Sequence, residues 1–191
     1  MSRLGVVAAL WCCLASVAGA QVPPVARQIA GAVSAAPEPL REGATVLGYP
    51  NYHRLVTLRQ GTNELICLAD DPAKSNFHVA CYHRDLEPFM ARGRQLQEEG
   101  RTRSEIDSVR LAEITAGTLK MPDHLSALYS LTGRADSVNV ETGISAGAVP
   151  LYVVYAPYAT PESTGLSTKP VGGQPWLMFP GKPWAHIMIM K

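Results

Sequence analysis

One five-residue motif has the pattern of a nucleophilic active site. Residues 143–147 read Gly-Ile-Ser-Ala-Gly, the G-x-S-x-G pattern whose glycines allow a sharp strand-to-helix turn that exposes the serine hydroxyl. After Ser145 the only acidic residue is Glu162 and the only histidine is His186, so these two would complete the triad. Pro150 and a strand-like segment follow where the helix is required. We therefore interpret the motif as a turn between strands, and a serine-type hydrolase is the alternative.

A second pattern could bind a soft metal. His186, Met188 and Met190 alternate with two isoleucines, so on a strand the three share one face. An imidazole with two thioethers is a ligand set suited to copper. The alternative is that both methionines pack in the core.

A third group of metal-ligating side chains surrounds Cys81 in the sequence. Its members are His78, His83, Asp85 and Glu87. Such groups bind borderline metals including zinc, which leaves a metal-assisted hydrolase as an alternative. The spacing matches no standard zinc motif, and Asp85 and Glu87 also suit the start of a helix, whose dipole favours anions. We therefore expect no metal centre and no cofactor, and interpret the isolated His53 and His124 as surface or core residues.

Aromatic residues are concentrated in the last third of the chain, and Trp176, Trp184 and Tyr155 are candidate binding residues. Flat rings can line a carbohydrate or peptide groove. The same residues could equally form the core of a sheet.

The N-terminus has the pattern of an export signal. Arg3 precedes an apolar run from Leu4 to Val17, and residues 18–20 read Ala-Gly-Ala, the small-x-small pattern of a cleavage site. We expect a signal peptide over residues 1–20 and a periplasmic or extracellular protein. The run is too short to span a bilayer, so we expect no stable membrane span after cleavage.

Cleavage would remove Cys12 and Cys13 and leave Cys67 and Cys81. Two cysteines in an exported chain most simply form one disulfide. The two lie at equal distances from Lys74, so a hairpin turning there places them opposite each other.

Overall charge excludes one class of partner. The 191 residues include 17 Lys and Arg and 16 Asp and Glu. A chain of balanced, interspersed charge has no electrostatic attraction to nucleic acid, and its partners are otherwise unknown.

The order of elements predicts an α+β fold with a mostly antiparallel sheet. Residues 21–44 form an Ala/Pro-rich segment, either a short helix from Gln28 to Ser34 or a loosely ordered arm. Residues 45–191 form one domain, with strands over 45–83, a central two-helix segment over about 86–117, and strands again over 125–191. Ser104 with Asp107 predicts the start of the second helix.

The C-terminal segment reads Pro-Trp-Leu-Met at 175–178 and Gly-Lys-Pro-Trp-Ala-His-Ile-Met at 181–188. With the signal peptide and the cysteine-containing hairpin, this tail resembles an uncharacterised group of exported bacterial proteins. The resemblance implies export and no particular chemistry. The best interpretation is a non-enzymatic binding or interaction module outside the cytoplasm.

Overall fold

A computed structural model describes residues 22–51 and 54–190. The predicted signal peptide, with Cys12, Cys13 and the cleavage site, lies outside the described residues, as does His53. The α+β fold with a mostly antiparallel sheet and one disulfide is confirmed.

Eight strands form one sheet in the order β2-β1-β3-β4-β5-β6-β8-β7. β1 and β3 run parallel, and the other neighbouring strands pair antiparallel. The strands are β1 (Thr45–Gly48), β2 (Val56–Arg59), β3 (Leu65–Leu68), β4 (Asn76–His83), β5 (Ser126–Arg134), β6 (Val149–Tyr155), β7 (Trp176–Met178) and β8 (His186–Met190).

Within residues 22–51 and 54–190, four α-helices accompany the sheet: α1 (Val25–Val33), α2 (Glu87–Glu98), α3 (Arg103–Thr115) and the short α4 (Pro161–Thr164). α1 lies on one sheet face, against β1, β3 and β4. It is thus packed against the sheet and is not a loose arm. Among the described residues, no helix is both long enough and apolar enough to cross a membrane.

Alternation along the strands builds two cores, one on each face of the sheet. Phe77, Val79 and Cys81 of β4 belong to the core under α1. Tyr82 belongs to the opposite core, under α2 and α3. Each strand residue points opposite to its neighbours, so one strand serves both cores.

The β3–β4 hairpin carries the predicted disulfide. Cys67 and Cys81 are directly paired across the hairpin, with Cα atoms 4.0 Å apart and sulfurs bonded. Both side chains are fully buried. The prediction from compartment and hairpin symmetry is confirmed.

Two local expectations differ from the structure. The second helix begins one residue after Thr102, which forms a capping box with Glu105, so the expected Ser104 and Asp107 signal is wrong. The first helix begins at Val25, earlier than expected, because Pro24 is tolerated at a helix start.

The C-terminal segment forms an interior strand. β8 pairs with β6 on one side and with β7 on the other, as expected for a strand integral to the sheet. Ile187 and Ile189, on the strand face opposite His186 and Met188, are only partly buried. Neither core includes them.

Candidate functional site

The G-x-S-x-G motif does not expose its serine. Ser145 is 3 % exposed, and its Oγ lies 2.8 Å from Ser137 Oγ and donates to the Arg134 carbonyl at 3.2 Å. The flanking Gly143 and Gly147 have positive φ angles. This arrangement is a turn closed by its own hydrogen bonds, as the interpretation from sequence expected.

The structure separates the three residues of the potential triad. Ser145 packs against Gly133, whereas His186 pairs with Tyr155, which in turn pairs with Ser126. Gly133 and Ser126 lie at opposite ends of β5, which corresponds to about 23 Å along the strand. Glu162 is exposed on α4. The described geometry therefore does not support a serine hydrolase at this motif.

His186 and Met188 occupy the same face of β8, as their alternation predicted. His186 Nδ1 lies 2.8 Å from the Trp184 carbonyl, and its ring contacts the rings of Tyr155 and Phe179. Burial lowers the pKa of His186, and the hydrogen bond to Trp184 opposes this. Met188 packs against the core under α2 and α3, and Met190 is exposed. Copper binding by this strand stays an alternative interpretation.

The predicted cluster around Cys81 divides into separate parts. His78 contacts Thr132 and is exposed, five residues along β4 from His83, or about 17 Å. Glu87 pairs with Arg94 and Tyr82. His83 and Asp85 instead meet His124, which is exposed at the surface.

All three aromatic candidates are buried. Trp176 and Tyr155 are 7 % and 8 % exposed, and burial raises the pKa of Tyr155 to about 12, with Arg110 and Arg103 opposing this. Trp184 is also buried, but one side of it lines a groove.

We call this cavity the α3 groove, because it lies between α3 and the β7–β8 loop (residues 179–185). Its volume is about 540 Å³. One wall of the groove is formed by α3 residues that lie on a single face of the helix. The other wall is the β7–β8 loop. The lining residues are Arg103, Ser104, Asp107, Ser108, Leu111, Phe179, Lys182 and Trp184.

The β7–β8 loop holds the groove's aromatic wall in place. Gly181 N donates to the Ala159 carbonyl at 2.8 Å, and Tyr158 N donates to the Lys182 carbonyl at 2.9 Å. Within this loop Phe179 has φ 52°, a left-handed conformation that is unfavourable for a bulky residue. Such strain persists where surrounding contacts over-determine it, and it clusters at functional sites.

Positive charge dominates the groove and the layer beneath it. Asp107 binds Arg110 at 2.8 Å and Arg103 at 3.2 Å, so one carboxylate faces two guanidinium groups. Lys182 adds a further cation at the rim. Burial lowers the pKa of Arg110, and its bond to Asp107 opposes this. The excess positive charge favours the binding of an anionic group in the groove.

Trp184 carries an unpaired donor in the layer next to the groove. The residue is 4 % exposed, and its indole Nε1 is buried with no hydrogen-bond partner among the described residues. Its ring stacks on Phe89 at 5.7 Å and meets the edge of Phe179 at 6.3 Å. Buried indole N–H groups are usually paired, so this donor is an unusual feature of the groove's surroundings.

Comparison of the chain with protein-family models, with curated proteins and with solved structures finds no match in any of the three.

Sequence reasoning identified Trp184 but missed the cations beside it. Arg103 and Lys182 are far apart in the chain, and only the packing of α3 on the sheet brings them together. One signal was present, since residues 103, 104, 107, 108 and 111 have the spacing of a single helix face.

Proposed function

We propose that this protein is a non-enzymatic binding module that holds an amphipathic anionic ligand in the α3 groove. The observation that carries the proposal is the mixed apolar and cationic lining of the groove, next to which the indole N–H of Trp184 is buried without a partner among the described residues.

The lining indicates the chemical class of the ligand. Phe179 and Leu111 offer apolar surface, which favours a ring or a hydrocarbon segment. Arg103 and Lys182 favour a carboxylate, sulfonate or similar group, because charge-assisted hydrogen bonds are the stronger ones. An acceptor atom on the ligand would also satisfy Trp184 Nε1. A small amphipathic anion meets all three demands.

The first test uses anilinonaphthalene sulfonate, a fluorescent probe with an apolar ring system and an anionic acceptor. We expect saturable binding to the folded protein and displacement by aromatic or fatty carboxylates. Trp184→Phe keeps an aromatic ring but removes the N–H, so it should weaken probe binding by about tenfold, or about 1.4 kcal/mol. Lys182→Gln should weaken it similarly.

Matched controls lie elsewhere in the fold. Trp176→Phe alters a tryptophan of comparable burial that does not line the groove, and Arg134→Gln removes an exposed cation at the far end of β5. Both variants should bind the probe like the unmodified protein. Equal loss in Trp176→Phe and Trp184→Phe, or no saturable binding, would contradict the proposal.

We further propose that the module acts outside the cytoplasm after cleavage following Ala20. The disulfide and the apolar N-terminal run support this placement. N-terminal sequencing of protein recovered from producing cells should begin at Gln21. A mature chain that retains Met1 would refute cleavage.

A further inference from the structure

We infer that His83, Asp85 and His124 form a binding site for a divalent transition-metal ion such as zinc. The three residues come from two separate parts of the chain, the β4–α2 junction and the loop before β5. The site is separate from the α3 groove, with which it shares no lining residue.

The separations of the donor atoms suit a tetrahedral ion. Asp85 Oδ2 lies 3.6 Å from His83 Nδ1 and 3.3 Å from His124 Nε2, and all three ligand atoms lie within 4.8 Å of one another. Zinc binds His nitrogen and carboxylate oxygen at about 2.0–2.2 Å, so tetrahedral neighbours are about 3.3–3.6 Å apart. Both distances from Asp85 Oδ2 lie in this range.

A second carboxylate orients His124. Its Nδ1 lies 3.2 Å from Asp123 Oδ1, and a proton on Nδ1 leaves the Nε2 lone pair directed at the Asp85 side. Metal-bound histidines commonly donate their other N–H to a carboxylate, which fixes the tautomer and strengthens the ligand. Asp123 is in this sense a positioning residue.

The nitrogen lone pairs of the two histidines also favour the binding of a cation. When His124 donates from Nδ1 to Asp123, its Nε2 faces Asp85 with no proton between them. His83 Nδ1 accepts the Asp85 backbone N–H at 3.4 Å, a long hydrogen bond that a metal ion bound at Nδ1 would replace. Three electron-rich atoms therefore converge on one volume, which a metal ion would occupy.

The exposure of the cluster defines what kind of site it is. The side chains of His83, Asp85 and His124 are 30 %, 47 % and 51 % exposed. Three protein ligands with solvent access leave the fourth position to water. Metal binding here would tie the loop before β5 to the start of α2.

The test is calorimetric titration of the folded protein with zinc, together with the cobalt absorption spectrum. We expect one equivalent to bind, a raised Tm, and the visible bands of tetrahedral cobalt. His124→Gln and Asp85→Asn should each weaken zinc binding at least about tenfold, and Asp123→Asn should weaken it about 10–100-fold.

His78→Gln is the matched control, because His78 is also exposed and lies on β4, the strand that carries His83. It should leave affinity and spectrum unchanged. Failure of wild-type protein to bind zinc would overturn the inference. So would equal affinities in His124→Gln, Asp85→Asn and His78→Gln, since zinc would then bind elsewhere. Circular dichroism of each variant establishes that the fold is retained.

Discussion

Phe179 holds a left-handed backbone conformation while its ring forms part of a groove wall. Such a conformation costs about 1–3 kcal/mol for a residue with a side chain. We expect Phe179→Gly to be more stable than Phe179→Ala by about 1 kcal/mol, because only glycine adopts this conformation freely. Urea denaturation of both variants measures the difference.

Both variants remove the same ring, so both should lose probe binding in the α3 groove to a similar degree. Leu177 has an ordinary backbone and is the control position, where glycine should be the less stable choice. Phe179→Ala more stable than Phe179→Gly would show that the backbone at Phe179 is not strained in solution.

Single residues were predictable where the information is local. The Cys67–Cys81 pairing followed from a turn midway between the two residues, and the burial of Ser145 agrees with the absence of a helix after its motif. The meeting of His83 with His124 was not predictable. It depends on the pairing of β4 with β5, which are separated by the whole two-helix segment.

The element with the clearest local signal is α3, whose capping box joins Thr102 to Glu105. Thr102 N donates to Glu105 Oε2 at 2.8 Å, and Glu105 N donates to Thr102 Oγ1 at 3.4 Å. Thr102→Ala removes the side-chain acceptor and should cost about 1 kcal/mol of stability. Thr115→Ala, at the other end of the helix, is the control and should cost less. Equal costs would contradict this role for the cap.

The same cap predicts an acid dependence. Hydrogen bonds from the backbone and the side chain of Thr102 lower the pKa of Glu105 from its ordinary 4.5. A carboxyl with a lowered folded pKa stabilises the fold above its unfolded pKa, and this contribution is lost as the pH falls through the folded value. The stability difference between wild type and Glu105→Gln should therefore be constant near neutral pH and shrink below about pH 4.5. A difference that grows on acidification would contradict this sign.

At the level of elements, helices and strands were predictable because their periodicities are local. The strand order was not, since β1 inserts between two strands that are neighbours in sequence. Its parallel pairing with β3 depends on both sheet faces being covered, one of them by α1. No pattern within residues 45–68 specifies that arrangement.

For the whole molecule, the disulfide joins residues 14 apart within one core. In the chain-entropy model, closing a loop of about 15 residues contributes about 3 kcal/mol. The paired change Cys67→Ala with Cys81→Ala should lower the free energy of unfolding by at least about that amount. Both cysteines are fully buried, so reducing agent should break the bond only when denaturant is added. Rapid thiol labelling of the native, reductant-treated protein would refute this.

Truncation after Trp184 tests the interior position of β8. The deletion removes the buried Ala185 and a strand paired on both sides, so the product should be unfolded or insoluble. Deletion of residues 190 and 191 alone is the control and should retain the fold, because Met190 is 51 % exposed. Circular dichroism and the soluble fraction report the outcome. A truncated chain that melts like the full one would show that the segment is a dispensable tail.

The interior position of β8 also has a consequence for the order of synthesis. β8 leaves the ribosome after all seven other strands of this sheet, yet it separates β6 from β7. The C-terminal third of the sheet therefore cannot assemble until β8 has been synthesised. In the export that we propose, a chain whose sheet is still incomplete could pass unfolded through a narrow membrane channel. The late completion of the sheet and the N-terminal signal would then both favour export.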